Sequence, residues 1–299
     1  MNYLITGGTG LIGQRVIEKL SQKNVKLTVL TRDKIKAKKQ CCDKVRLIEH
    51  LSLNEIENSN IVINLAGEPI ANNRWSKAMK EKICRSRWLL TQQIVSLIEQ
   101  AKAPPHLFIS GSAIGIYGRQ SKEEIDENFT DFHHEFTHKV CQKWEDIAMS
   151  AMTKNTRVAL LRTGIVLAKD SGALAKMILP FKLGLGGKIA TGKQFMSWIH
   201  IEDMVNAIIH IIDNNELNGP INMTSENAVS NQKFTAALAK ILNRPAFLST
   251  PAVLLELLFG EMSELLVYGQ NVYPKKLKTS KFTFTYTNID TALEDLLSS

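Results

Sequence analysis

Four cysteines in 299 residues are too few and too irregularly spaced for a covalent scaffold. Cys41, Cys42, Cys84 and Cys141 form no CxxC pair, and the adjacent Cys41 and Cys42 are poorly placed to bridge each other. Reduced thiols in a cytoplasm-like compartment are therefore expected. The opening MNYLITGGTG lacks a charged segment followed by an apolar one, so no signal peptide is expected. No apolar run approaches the roughly 20 residues that a bilayer-spanning helix needs, which predicts a soluble, cytoplasmic protein with no membrane partner. The net charge of +8 comes from basic residues that are dispersed and not interleaved with aromatics, which argues against a nucleic-acid partner. Internal repeats and low-complexity segments are missing too. What remains is a chain with 44% apolar residues, enough for one large α/β domain, alone or with a small appendage.

The first signal is local. NYLIT is a short apolar run, GGTGLIG follows, and Leu11, Ile12, Val16, Ile17 and Leu20 then repeat at helical spacing. Strand, glycine turn and helix are predicted in that order. Gly7, Gly10 and Gly13 let the backbone turn sharply and let a pyrophosphate approach the amides at a helix N-terminus. Thr9, Leu11 and Ile12 belong to the same candidate cofactor loop. A glycine triplet alone is weak evidence, but its place between a first strand and its helix makes it much stronger.

The next strand, VKLTVLTR, ends about twenty residues on, where a dinucleotide-binding fold places the residue that reads the adenosine ribose. Binders of NAD carry an acid there. This chain has Thr31 and Arg32, followed by Lys34 and Lys36, a set suited to the 2′-phosphate of NADP. The plain alternative is that Arg32 points to water, as the basic run RDKIKAKK would on an ordinary solvated turn. NIVINLAGEPI supplies another buried strand over residues 61–65, and Leu65, Ala66, Gly67 and Glu68 form a small-residue turn on which a cofactor could lie. SRWLLTQQIVSLIEQAK is an amphipathic helix ended by Pro104 and Pro105. HLFISGSAIGIYG adds a strand and a Ser/Gly turn. Alternating strands and helices predict a parallel, doubly wound α/β sheet.

These motifs together resemble the extended short-chain dehydrogenase/reductase superfamily: TGGTGLIG its cofactor loop, NLAG its strand-end turn, SGSAIGIYG its Ser-containing stretch, and FMSWIHIEDM its late strand-to-helix signature. NLAGEPI, HKVCQKWE, the segment RTGIVLAKDSGALAKMILPFKLGLGGKIATGKQFMSWIHIEDM and RPAFLSTPAVLLELLFGEMSELLVYGQNVYPKKL narrow the likeness. They are similar to the YfcH-type epimerase family proteins, atypical extended members with a small C-terminal domain of unassigned function. The resemblance covers essentially the whole chain. It implies a Rossmann domain over residues 1–242, with substrate-cleft segments around 166–200, and a C-terminal lobe over 243–299. It also implies NADP (NADPH) as cofactor and reduction or epimerisation of a small-molecule substrate, with a nucleotide sugar as the family-based guess.

The stretch HHEFTHKVCQKWE, residues 133–145, is where the likeness breaks. The superfamily carries Tyr-x-x-x-Lys on this helix, the tyrosine moving a proton and the lysine holding the nicotinamide ribose. The register places Thr137 and Cys141 there, and no tyrosine in the chain has a lysine four residues later. His134, His138 and Cys141 are spaced to share one helical face. Three such ligands stack along the axis and converge poorly on one tetrahedral metal, so no metal is expected. The catalytic reading makes His138, or His134, an acid or base near the nicotinamide with Ser112 as its hydrogen-bond partner. The bland reading has Cys141 packing, Thr137 capping a polar pocket and the histidines facing solvent or a loop, with Lys139 and Lys143 on the outer face. A cofactor-binding protein without chemistry, acting as an NADP(H)-dependent sensor or partner, is the alternative function.

On the substrate side, Arg162 ends a late strand over 159–164 and could face the cofactor or pair internally. The glycine-rich 182–200 leads to Trp198, expected in the core, and to His200 and Asp203 as helix-start polar groups. Residues 253–259 read as a strongly apolar helix whose face Met262, Leu265 and Leu266 continue. It would cap the substrate cleft or make a homodimer contact. KFTFTYTNIDTALEDLL is expected to end the chain as a strand and a short helix.

Overall fold

The computed structural model describes residues 1–41, 44–169 and 171–298, so Cys42 lies outside the described residues. The first half alternates as expected: β1 (Asn2–Thr6), α1 (Leu11–Ser21), β2 (Lys26–Leu30), α2 (Lys34–Gln40), β3 (Val45–Ile48), α3 (Leu53–Glu57), β4 (Ile61–Asn64), α4 (Lys77–Gln100) and β5 (Leu107–Ala113). Each element follows from its residues. Leu4 and Ile5 of β1 are fully buried between helical layers, and α1 turns Val16, Ile17 and Leu20 onto the sheet. Side-chain caps start the others: Asp33 accepts from Lys36 N, Ser52 from Glu55 N and Ser76 from Met79 N. The Ser76 cap starts α4 well before Ser86, where the apolar periodicity of the sequence becomes clear.

After a short 3₁₀ turn (Ile114–Tyr117) come β6 (Glu124–Ile125), α5 (Phe136–Met149), β7 (Arg157–Thr163), β8 (Ile165–Leu167), α6 (Gly172–Lys182), β9 (Gly187–Ile189), β10 (Phe195–Met196), β11 (Trp198–His200), α7 (Ile201–Asp213), β12 (Gly219–Met223), β13 (Val229–Ser230) and α8 (Asn231–Leu242). The central sheet has seven strands, all parallel, in the order β12-β7-β5-β4-β1-β2-β3. The order reverses between β1 and β4, and a crevice opens there at the carboxyl ends of the strands. The doubly wound Rossmann architecture is thus present.

The C-terminal stretch comprises β14 (Leu248–Thr250), α9 (Ala252–Phe259), α10 (Glu264–Val267), β15 (Asn271–Val272), α11 (Lys275–Thr279) and α12 (Ile289–Leu297). It returns to the first part of the chain, β14 pairing with β9, β15 with β6, and α12 lying on α8. Two expectations fail here. The apolar helix does not carry one face through Met262, Leu265 and Leu266, because Gly260 at φ +59° leaves the helix and a 3₁₀ turn intervenes. Met262 is buried, whereas Val253 and Leu257 are 76% and 73% exposed. Residues 281–288 form no strand either. Their alternation is that of an extended segment whose Thr285 and Tyr286 amides each donate to the buried carboxylate of Asp203 at 2.8 Å. Trp198 is fully buried, as expected of a core residue, and His200 caps α7 by accepting from Glu202 N. Among the described residues no helix is long and apolar enough to cross a membrane.

Candidate functional site

The crevice at the switch point is a cleft of about 630 Å³. Of the residues expected to hold a cofactor, Gly7, Thr9, Gly10, Thr31, Arg32, Leu65, Ala66, Gly67 and Glu68 line it. Leu11, Ile12 and Gly13 do not; they form the first turn of α1 behind the loop. Gly7 has φ +70°, and a Cβ there would lie 2.6 Å from the Leu65 carbonyl carbon, so only glycine lets the two strand ends approach. A Cβ on Gly13 would collide with the Gly7 carbonyl oxygen, which fixes how closely α1 sits on the loop. Gly10 occupies the N-cap of α1 without a side-chain cap, and the first turn holds no acid. Its leading amides are therefore left for an external anion, which the helix dipole favours. These features fit the pyrophosphate of a dinucleotide.

The other end of the cleft is cationic. Arg32 and Lys36 line it, and neither makes a side-chain hydrogen bond or ion pair among the described residues. The acids beside them are occupied: Asp33 caps α2 at 2.9 Å from Lys36 N, Glu49 pairs with Lys34 at 3.3 Å, and Glu68 pairs with Lys82 at 2.9 Å. Sequence reasoning passed over Asp33, which follows Arg32 directly and whose carboxylate serves the helix. It also missed Arg85 and Ser86, which line the cleft from α4. The cap signature at Ser76 could have revealed Arg85, since it extends the helix back beyond Ser86, where the sequence reading begins it.

His134 precedes α5 and is exposed, so His134, His138 and Cys141 do not share one helical face, although the His134 ring packs edge-on against that of His138 with centroids 4.6 Å apart. Among the described residues no three His, Cys, Asp or Glu side chains group as metal ligands. Thr137 and Cys141 are buried against Gly115 of the 3₁₀ turn, and Lys139 and Lys143 are exposed. His138 is buried, with Nδ1 2.5 Å from the Ile116 carbonyl oxygen. A carbonyl only accepts, so Nδ1 carries the proton and Nε2 holds the lone pair.

Ser112 does not partner His138. Its hydroxyl donates to Glu145 Oε1 at 2.6 Å, because β5 turns this side chain towards α5. Glu145 in turn receives Arg162 Nε at 3.0 Å and Nη2 at 2.8 Å, so Arg162 pairs internally. Arg162 Nη1 donates to Tyr117 Oη at 3.1 Å, and that hydroxyl donates to Asn222 Oδ1 at 2.7 Å. Burial pushes Tyr117 up to about 12 despite Arg162 and Asn222 pulling it down. Burial, then Glu145, pushes the Cys141 thiol up to about 12, which makes it a packing group rather than a nucleophile.

Comparisons with known proteins agree with this fold. The profile of the NAD dependent epimerase/dehydratase family matches residues 3–223, and the Domain of unknown function (DUF1731) matches 250–296. The epimerase family protein SH2119 of Staphylococcus haemolyticus is 36% identical over 99% of both chains. The human epimerase family protein SDR39U1, crystallised with NADPH, superposes with a TM-score of 0.88 at 28% identity, covering 100% of both chains. UDP-glucuronic acid 4-epimerase from Bacillus cereus, in complex with UDP-glucuronic acid and NAD, gives a TM-score of 0.80 at 15% identity over 100% of this chain and 98% of its own, a likeness of fold alone. The chain belongs to the NAD dependent epimerase/dehydratase family, among the epimerase family proteins that carry the C-terminal domain of unknown function.

Proposed function

We propose that this protein binds NADP(H) and works as a reductase or epimerase on a small hydroxylated substrate. The observation that carries the reading is the pairing, in one cleft, of an uncapped α1 N-terminus with two cations, Arg32 and Lys36, that have no partner among the described residues. The α1 amides would hold the pyrophosphate and the two cations a 2′-phosphate, while Leu65, Ala66 and Gly67 form the wall beneath. A bound nicotinamide supplies hydride transfer. His138, whose Nδ1 is held by the Ile116 carbonyl and which lies outside the cleft lining, is the residue we assign to proton movement through Nε2. Nucleotide sugars are the first substrates to screen, since fold neighbours such as the Bacillus cereus epimerase were solved with one.

A second reading, an NADP(H)-dependent sensor or partner without chemistry, is favoured by one observation. The Ser112 hydroxyl is spent on Glu145. Fluorescence titration of the purified protein with NADPH and NADH tests the shared part of both readings. Equal affinity for the two would sink the NADP preference, and binding of neither would sink both readings. Turnover of a sugar nucleotide, read as net NADPH oxidation for a reductase or as formation of the epimer for an epimerase and lost in His138→Ala, separates enzyme from sensor; no turnover with any substrate class and normal NADPH binding would favour the sensor.

A further inference from the structure

Beyond the 2′-phosphate cations, α4 carries a guanidinium that neither the phosphate contacts nor His138 uses. Arg87 Nη1 donates to the carbonyl oxygens of Glu68 at 3.0 Å and Ile83 at 3.1 Å. Its Cζ lies 5.3 Å from the Trp144 ring centroid on α5. A Cβ on Gly67 would come within 3.1 Å of that Cζ, so the strand-end turn lies directly against the guanidinium. Nε and Nη2 make no hydrogen bond among the described residues, yet neither is sealed from solvent. Among the described residues no carboxylate pairs with Arg87, and Glu68 turns its own to Lys82. A part-buried cation with two solvent-reaching donors and no counter-ion among the described residues keeps those donors available to a ligand.

Its place says which part of a ligand that is. The two cations for a 2′-phosphate stand over the end of β2, whereas Arg87 lies behind the cleft-lining Gly67 and Ser86, outside the cleft lining itself, on the side of Trp144 of α5. Trp88 Nε1, donating to Val140 O at 3.0 Å, and Lys143, over the Trp88 ring, hold α4 and α5 in that register. A dinucleotide crossing the switch point sets its adenosine half over β2 and its other half on this side.

We propose that Arg87 is the cation that holds the nicotinamide-side ribose, Nε and Nη2 donating to its hydroxyl oxygens. The inference rests on the reading of the cleft as a dinucleotide site. The positive charge of the site then comes from α4, while α5 presents the uncharged Cys141.

The test compares NADPH with adenosine 2′,5′-bisphosphate, which has the 2′-phosphate and adenosine but lacks the second ribose. Arg87→Met and Arg87→Lys are titrated with both, beside thermal melts that report folding. The expected result is a loss of about tenfold in NADPH affinity for Arg87→Met, unchanged bisphosphate affinity, and partial recovery in Arg87→Lys. Equal losses for both ligands would make Arg87 a structural group and overturn the proposal. Unchanged NADPH affinity in Arg87→Met would overturn it while leaving the dinucleotide reading intact. If the unaltered protein bound neither ligand, the dinucleotide reading itself would fall and take the inference with it.

Discussion

Two arginines, Arg162 near the carboxyl end of β7 and Arg87 on α4 against the turn that follows β4, are treated in opposite ways. Arg162, 5% exposed, is enclosed by the carboxylate of Glu145 and the hydroxyl of Tyr117. Burial opposes its charge, but the Glu145 hydrogen bonds and ion pair outweigh that and raise its pKa. Arg87 receives only carbonyl oxygens and a ring face, and burial lowers its pKa with no bonded anion to restore it. A buried ion pair whose hydrogen bonds are satisfied is architecture; an unpaired guanidinium beside a cleft is binding capacity. The difference explains why Ser112 contributes nothing to the cleft, since its hydroxyl belongs to the closed set.

The largest expected effect breaks the closed set. Glu145→Gln leaves Arg162 buried without an anion and weakens the acceptor of the Ser112 hydroxyl. Urea unfolding should report a loss of about 3–5 kcal/mol, whereas the double change Glu145→Leu with Arg162→Met should recover much of it. A loss near zero for Glu145→Gln would mean the pair is solvated and the contrast with Arg87 is empty.

A smaller effect comes from alkali. Tyr117 ionises ordinarily near 10.0 and is raised to about 12, mainly by burial. With the folded pKa above the unfolded one, the folded state keeps its proton longer. The associated stability is whole below pH 10 and is lost as pH rises to about 12, by at most about 3 kcal/mol. Tyr117→Phe should flatten that part of the pH profile of stability. Cys141, also raised to about 12, contributes to the same slope and remains in the variant. An unchanged slope in Tyr117→Phe would place the phenol outside the closed set.

The open side was the more legible of the two in the sequence. Gly7, Gly10 and Gly13 are dictated by local sterics, and Arg32 by its distance along the chain from the loop, so both could be read without neighbours. Arg85 was not seen because the first two turns of α4 are dominated by lysines and hide the helix start, and Arg87, inside the helix as read, was passed over because only the fold brings it against Gly67 and Glu68. The closed set was illegible for a different reason. Ser112 and Glu145 are 33 residues apart, and only the packing of α5 on β5 brings them together. Residues 281–288 show the same limit: alternation was correctly an extended backbone, but a carboxylate on α7, and no neighbouring strand, takes its amides.

The smallest effect sharpens the contrast within the open side itself. Arg32 is exposed and Arg87 is not, yet both lack an anion among the described residues. If Arg32 meets only a 2′-phosphate, Arg32→Ala should weaken NADPH binding roughly tenfold at low salt and leave NADH binding as it was. The effect should shrink with added salt, because an exposed charge is screened. Arg87→Met should instead weaken both nucleotides alike, since both carry the second ribose, and should resist salt. Titrating the two variants against both nucleotides at two ionic strengths gives the answer. Salt-sensitive losses confined to NADPH in both variants would show one diffuse cationic surface in place of two distinct contacts.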